Sequence, residues 1–229
     1  MKGRRNLLLY IWLAALAALS VYYLYKAIDY RFLHADRLGP SLFNKQLWYF
    51  SHLLLALPVV FGAPLQFLPG LRQSAPRVHR WIGRAYAIGA SGAAILAIYL
   101  GATTEYEESR LSIVMTGALW LFFTLAAWQA AVARNFVAHR AFMIRSYTLA
   151  LVLVWLRLMY DFQDYLFFYV QDEQARDGTR EWASWIIPLL AVEFWISWLP
   201  QVRPNNSFKQ NASRLGLIQA LGILRRSRP

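Results

Sequence analysis

Six long apolar runs constrain the fold of this chain more than any other feature. An α-helix needs roughly 20 apolar residues to cross a bilayer, and a backbone in lipid must hydrogen-bond within its own segment. Only 16% of the 229 residues are charged and 58% are hydrophobic, whereas a soluble domain is about 25% charged. We therefore expect an all-α, polytopic transmembrane helical bundle over residues 1–200. Its predicted spans are Leu7–Tyr25, Trp48–Leu68, Trp81–Leu100, Leu111–Ala133, Ala141–Tyr160 and Trp185–Leu199.

Charge is distributed unevenly between the two sides that six crossings create. One side, with both termini and the turns near residues 70–84 and 134–145, carries many cations, while every acid except Glu193 belongs to the other side. Because Lys and Arg are retained in the cytoplasm, the pattern predicts a multi-pass protein of the bacterial inner membrane with N-in/C-in topology. The net charge of +12 then indicates contact with anionic headgroups of the lipid bilayer, and we expect no nucleic-acid partner.

The two ends of the chain need separate interpretation. The first run is too long for a typical signal-peptide core, so we expect it to be a retained helix. Residues 201–229 combine turn-forming residues with scattered cations, which predicts a basic cytoplasmic tail of flexible character. The chain contains no cysteine, so disulfides and thiolate-bound metals are excluded.

Two similar short segments open the third and fifth spans. Each begins with His-Arg, at His79 and at His139, and each carries a second arginine, Arg84 or Arg145, followed by tyrosine. Two histidines at equal depth on different helices are the ligands that a bis-imidazole haem b requires. The deeper arginines suit its propionates. The alternative is that these residues only anchor helix ends in the headgroup region.

The remaining histidines suggest a weaker, second site. His52 lies near the outer end of the second span, and His34 precedes it in the outer connection. Together they are candidates for a second haem, and His52 alone is equally a candidate for a hydrogen bond between helices.

Glu193 is the only acid inside a predicted span. A carboxylate in hydrocarbon is costly unless it is paired or protonated. Glu193 is therefore predicted either to form a structural salt bridge with Arg145 or Arg157, or to take part in a proton relay or in substrate binding. Gln66 and Gln129 fall at a similar depth, and with the inner histidines they predict a polar cavity open to the cytoplasm.

Several of these residues belong to a recognisable pattern. The stretch from His52 through Gly62-Ala63-Pro64-Leu65-Gln66 to Tyr86, and the stretch His139–Tyr147 with Arg157, resemble the bacterial membrane family catalogued as domain of unknown function 2306. The resemblance covers about residues 51–199 and implies a multi-helix membrane protein without assigned chemistry. One departure is Ala141-Phe142, where the family more often has tryptophan after His-Arg.

A second, weaker similarity is to cytochrome b561-type haem bundles, and it depends only on the number and placement of histidines. Three functions therefore remain open: a b-type haem electron-transfer protein with a redox partner, a transport or proton-relay protein that binds a small molecule without haem, and a structural or assembly subunit. The sequence shows no hydrolytic or transferase motif, and it leaves open whether the protein is an enzyme.

Overall fold

A computed structural model describes residues 2–29 and 45–202, and over these ranges the regular secondary structure is helical, without strands. His34 and almost all of the predicted tail lie outside the described residues. The helices are α1 (Lys2–Ile28), α2 (Gln46–Gln66), α3 (Pro69–Ser74), α4 (Pro76–Ala102), α5 (Glu107–Val132), α6 (Phe136–Ala150), α7 (Val152–Asp161), α8 (Gln163–Leu166), α9 (Glu173–Glu193), a π-helical segment (Phe194–Trp198) and α10 (Leu199–Val202).

The predicted all-α, multi-pass architecture is confirmed. Within the described ranges, 5 helices are long and apolar enough to cross a membrane, and the pair α6–α7, bent by 41°, makes a sixth if it is one span. The last crossing differs from its predicted bounds, because its helix begins at Glu173 and not at Trp185. Because the first turns of this helix contain charged residues, they do not belong to an apolar run, and the predicted start was too late.

Two local signals begin the helices that carry the inner histidines. Pro76 occupies the first turn of α4, where its fixed φ suits a helix and its missing N–H costs nothing. Asn135 caps α6, since its side chain accepts a hydrogen bond of 3.1 Å from the Ala138 backbone N–H. Arg134, with a φ of 58°, closes the tight turn from α5 in the left-handed region.

Contacts divide the chain into two compact units, residues 1–190 and 191–229. In the first unit, α2, α4, α5 and α6 pack against one another in chain order, and α2 also contacts α6. The four helices therefore enclose a common interior in which α4 and α6 lie diagonally opposite each other. The first helix, α1, packs outside this group against α2 and α7.

Small residues let the helices approach closely. A Cβ at Gly89 of α4 would lie 2.5 Å from the backbone oxygen of Leu55 in α2, and one at Gly117 of α5 would lie 3.1 Å from that of Ala94. Such contacts are typical of membrane helix interfaces, where tight packing replaces the hydrophobic effect. They hold α2, α4 and α5 at fixed distances around the interior.

The second unit is short in its described part. It contains the end of α9, the π-helical segment Phe194–Trp198 and α10. Within it, the Ser197 hydroxyl donates a hydrogen bond of 2.8 Å to the Glu193 carboxylate.

Candidate functional site

His79 and His139 occupy equivalent positions in their helices. Each is the fourth residue of its helix, counted from Pro76 in α4 and from Phe136 in α6. Their backbone N–H groups bond to the residue before each helix, at 3.0 Å for His79 to Ala75 and 2.9 Å for His139 to Asn135. Both side chains are partly buried.

A hydrogen bond deeper in the interior fixes how these two helices face each other. The Tyr86 hydroxyl of α4 and the Ser146 hydroxyl of α6 are 2.8 Å apart and buried. Tyr86 follows His79 by 86 − 79 = 7 residues and Ser146 follows His139 by 146 − 139 = 7. Seven residues are close to two helical turns, or about 10 Å, so each histidine lies on the same helix face as its hydroxyl.

The two histidines therefore face each other across the interior. They lie about two helical turns closer to the first residues of α4 and α6 than the hydroxyl pair does. Their imidazoles lie close enough to interact electrostatically. The structure thus brings together the two histidines that the sequence singled out. It pairs the helices through Tyr86, one of the two repeated tyrosines, and Ser146 of α6, and not through the repeated arginines.

Each imidazole has one ring nitrogen that makes no hydrogen bond within the described part of the chain. In His139, Nδ1 is 2.9 Å from the backbone oxygen of Ala127; because a carbonyl only accepts, Nδ1 carries the proton and Nε2 keeps its lone pair. In His79, Nδ1 is buried and has no hydrogen-bond partner among the described residues. Gln66 of α2 donates a bond of 2.9 Å to the His79 backbone oxygen, which ties α2 to the same site.

The floor of the site is a directed chain of hydroxyls. Thr124 of α5 donates to the Trp120 backbone oxygen at 2.7 Å and lies 2.8 Å from the Ser146 hydroxyl. Each hydroxyl has one proton to give, so Ser146 donates to Thr124 and Tyr86 donates to Ser146. All three side chains are almost completely buried, and every proton in the chain has an acceptor.

The two predicted propionate partners lie in different surroundings. Arg84 is exposed, and its guanidinium lies 5.2 Å from the centre of the Trp81 ring. Arg145 is partly buried, with its guanidinium 5.9 Å from the centre of Phe123 and 5.8 Å from that of Phe142. Both arginines therefore stack on aromatic rings, and their contact with propionates stays a prediction.

The other predicted polar residues do not all join this site. Gln129 is exposed on α5, whereas Gln66 contributes directly. His52 lies deeper between α2 and α4, where its Nδ1 is 2.9 Å from the Ala93 backbone oxygen, which matches its interpretation as an interhelical hydrogen-bonding group. Its predicted pairing with His34 stays a prediction.

Sequence reasoning missed a charged cluster at the opposite end of the bundle. Arg180 of α9 is buried, donates hydrogen bonds to Gln163 and Asp177, and lies 4.8 Å from the centre of the Tyr160 ring. Nearby, the Tyr23 hydroxyl of α1 donates a hydrogen bond of 2.8 Å to Asp161, the last residue of α7. The available signal was the four-residue spacing of Arg180 and Ser184, which puts both on one buried helix face.

Glu181 is a further acid of α9. It is partly buried and interacts electrostatically with Arg180 and with Arg157 of α7. The Nε of Arg157 is buried without a hydrogen-bond partner in the described part of the chain. The pairing of Glu193 with Arg145 or Arg157 stays a prediction.

The donor set bears on which metal groups the site suits. No three His, Cys, Asp or Glu side chains converge on a metal position among residues 2–29 and 45–202. A porphyrin supplies four nitrogens itself, so its iron needs only two axial ligands from the protein. The uncommitted nitrogens of His79 and His139 fit that requirement.

Comparison with known proteins places the chain in a family. The family model described as predicted membrane protein, DUF2306, matches residues 49–196. The chain belongs to the DUF2306 family. The matched residues include His79, His139 and the hydroxyl chain, so the DUF2306 region contains the whole candidate site, whereas α1 and the tail lie outside it. No curated protein and no solved structure matches the chain.

Proposed function

We propose that this DUF2306 protein is a b-type haem-binding electron-transfer protein, with His79 and His139 as the axial ligands. The supporting observation is the hydrogen bond between Tyr86 and Ser146. Because each of these residues follows its histidine by seven positions, the bond makes the histidines face each other across the bundle. Cofactor sites in helical bundles are commonly built this way, from side chains on facing helices.

In this proposal each residue has a defined task. Ala127 holds the His139 ring through Nδ1, so that Nε2 points to the ligand; such second contacts orient a histidine and raise its basicity. Gln66 fixes the backbone at His79. Tyr86 and Ser146 limit the depth of the site with a floor whose protons are already committed. The haem, when bound, supplies a reversible one-electron change at its iron.

An absorption spectrum of the purified, detergent-solubilised protein tests the proposal. We expect a Soret band that shifts on reduction with dithionite and is lost in both His79→Ala and His139→Ala. His52→Ala is the matched control and keeps the band. A colourless, iron-free preparation that is monodisperse and helical by circular dichroism contradicts the proposal, as does a band that survives both substitutions.

A proton-relay or small-ligand transport function without haem is the second candidate. The observation that favours it is the directed hydroxyl chain of Tyr86, Ser146 and Thr124, together with the partly buried Glu181 beside two arginines at the other end. Hydrogen-bonded hydroxyls and intramembrane acids are the usual components of proton pathways.

Proteoliposomes loaded with a pH-sensitive dye distinguish this candidate. An imposed membrane potential should drive proton entry that falls in Tyr86→Phe, Glu181→Gln and Glu193→Gln, whereas Glu105→Gln, which changes an exposed acid between α4 and α5, leaves it unchanged. If the potential-driven proton flux does not exceed that of empty liposomes, the proton-relay function is ruled out. If neither haem nor flux is found, the structural or assembly function remains.

We also propose the orientation that the charge bias predicts, with both termini in the cytoplasm of a bacterial cell. Since the chain has no cysteine, single cysteines report the side directly. Glu105→Cys, just after the end of α4, should react with a membrane-impermeant maleimide on intact spheroplasts, whereas Ser74→Cys, in α3 just before α4 begins, should react only after permeabilisation. The reverse labelling pattern contradicts this orientation.

A further inference from the structure

The connection between α7 and α9 presents a dense group of large apolar side chains in residues 162–170, the aromatic segment. Its strongly exposed side chains, which range from 48% exposed for Leu166 to 82% for Tyr165, are Phe162, Tyr165, Leu166, Phe168 and Tyr169. Exposed apolar groups of this density mark a surface that meets a membrane or another protein. The aromatic segment is therefore a candidate for one of these two contacts.

The aromatic segment has a defined backbone structure. The Leu166 N–H donates a hydrogen bond of 3.0 Å to the Phe162 oxygen, and the Phe167 N–H donates one of 2.8 Å to the Gln163 oxygen. Backbone groups that are paired within a segment can enter a layer that is poor in water. The side chain of Phe167 is buried, which fixes the segment to the protein while its neighbours stay exposed.

The packing of α9 on α5 locates the hydrocarbon boundary at this end of the bundle. The uncharged run of α9 begins at Trp182, and that of α5 begins at Leu111. The two helices are in register there, because a Cβ at Gly178 would lie 3.4 Å from the Cβ of Glu108. Each uncharged run thus begins three or four residues after this contact. Both helices place the boundary at the level of Trp182.

Contacts with α9 place the aromatic segment just outside that boundary. Arg180 donates a hydrogen bond to Gln163, and Arg176 forms an ion pair of 3.6 Å with Asp164. These arginines precede the boundary by two and six residues, which is about 3 and about 9 Å along a helix. The headgroup region on each side of a bilayer is roughly 5–8 Å thick. The aromatic segment therefore lies at the level of the lipid headgroups.

We propose that the aromatic segment is an interfacial anchor, whose exposed side chains insert into the headgroup layer of the leaflet on this side of the protein. Tyrosine suits that layer, because its ring is apolar and its hydroxyl bonds to headgroups and water. The one charged residue of the segment, Asp164, is paired with Arg176, so the rings provide the attraction and not the charge of the lipids. The anchor is independent of haem binding, since His79 and His139 lie at the opposite end.

Spin labels measure the depth of the segment directly, because the chain has no cysteine. Tyr165→Cys and Phe168→Cys are labelled with a nitroxide in the full-length protein, in liposomes of phosphatidylethanolamine and phosphatidylglycerol. Electron paramagnetic resonance then compares collisions with oxygen, which concentrates in lipid, and with a water-soluble nickel complex. We expect ratios of oxygen to nickel accessibility between those of Ile187→Cys, on the apolar part of α9, and Gln174→Cys, in its exposed first turn. Ratios equal to that of Gln174→Cys overturn the proposal and indicate a surface for a water-soluble protein.

Removal of the rings tests whether they hold the segment in the membrane. A label at Leu166→Cys should become more accessible to nickel when Tyr165→Ser, Phe168→Ser and Tyr169→Ser are combined. Tyr106→Ser, which removes another exposed ring just before α5, is the control and should leave the label unchanged. Nickel accessibility that is the same with and without the three rings overturns the anchor.

Discussion

The two ends of the helical bundle both contain polar and ionisable groups, but they use them differently. At one end, His79 keeps a buried ring nitrogen without a hydrogen-bond partner among the described residues. At the other end, the buried Arg180 is held by Gln163, Asp177 and the ring of Tyr160. The comparison separates groups that are available to a ligand from groups that are committed to the fold.

The groups at the two ends differ in how much they contribute to the free energy of unfolding. A buried charge whose partners are all in place is costly to disturb, because removing one member leaves the others desolvated and unpaired. A histidine whose ring nitrogen makes no hydrogen bond contributes little to folding through that nitrogen. Truncation at the arginine end should therefore destabilise the protein strongly, and truncation at the histidine end should change ligand binding instead.

The largest effect is expected for Arg180→Ala. It removes the donor to Gln163 and Asp177 and should lower the free energy of unfolding by about 3 kcal/mol, the low end for a broken buried pair, because the Asp177 side chain is 38% exposed. Unfolding in detergent is followed by the fluorescence of the 10 tryptophans. Arg110→Ala, which removes an exposed arginine bonded to a backbone oxygen, is the control and should cost about 1 kcal/mol or less. Equal losses in the two variants would contradict the distinction.

The next effect tests the hydroxyl chain that separates the two ends. Ser146→Ala leaves the Tyr86 proton without its acceptor in a fully buried position and should cost about 2 kcal/mol. Thr148→Ala, which removes a hydroxyl bonded only to its own helix at Ile144, should cost less than half as much. Adding Tyr86→Phe to Ser146→Ala should recover part of the loss, because both partners are then apolar. No recovery in the double variant would show that the bond does not join the helices.

The membrane spans were predictable from sequence because their length and apolar character follow directly from bilayer thickness. The start of α9 was not, because Asp177 and Arg180 lower the apolar character of its first turns while neutralising each other in the fold. Whether a charge is paired is a tertiary property. The start of such a helix is therefore predicted too late along the chain when residues are taken singly.

The candidate site was predictable in part. Both inner histidines could be identified, since histidine is rare here and each opens a span. The rotation of each helix about its axis could not. Gln129 follows the buried Ala127 by two residues, or about 200° around the helix, which puts it on the exposed side of α5. Gln66, like Gln129, was predicted from its depth in its span alone. Only the packing of the helices shows that Gln66 bonds to the backbone of His79.

The smallest effect on stability is expected where the largest effect on ligand binding is proposed. His139→Ala removes one hydrogen bond, to Ala127, and should cost about 1 kcal/mol. His79→Ala removes no side-chain hydrogen bond of the described structure and should change the free energy of unfolding by less than about 0.5 kcal/mol. Both are measured in protein prepared without haem, so that ligand binding does not add to the stability. If the two histidines only anchored helix ends, substitution by arginine, which snorkels equally well, would preserve every property of the protein. If they are ligands, His79→Arg and His139→Arg keep the haem-free stability and lose the Soret band. Arg180→Ala should do the opposite, because it lowers the stability and leaves both histidines in place.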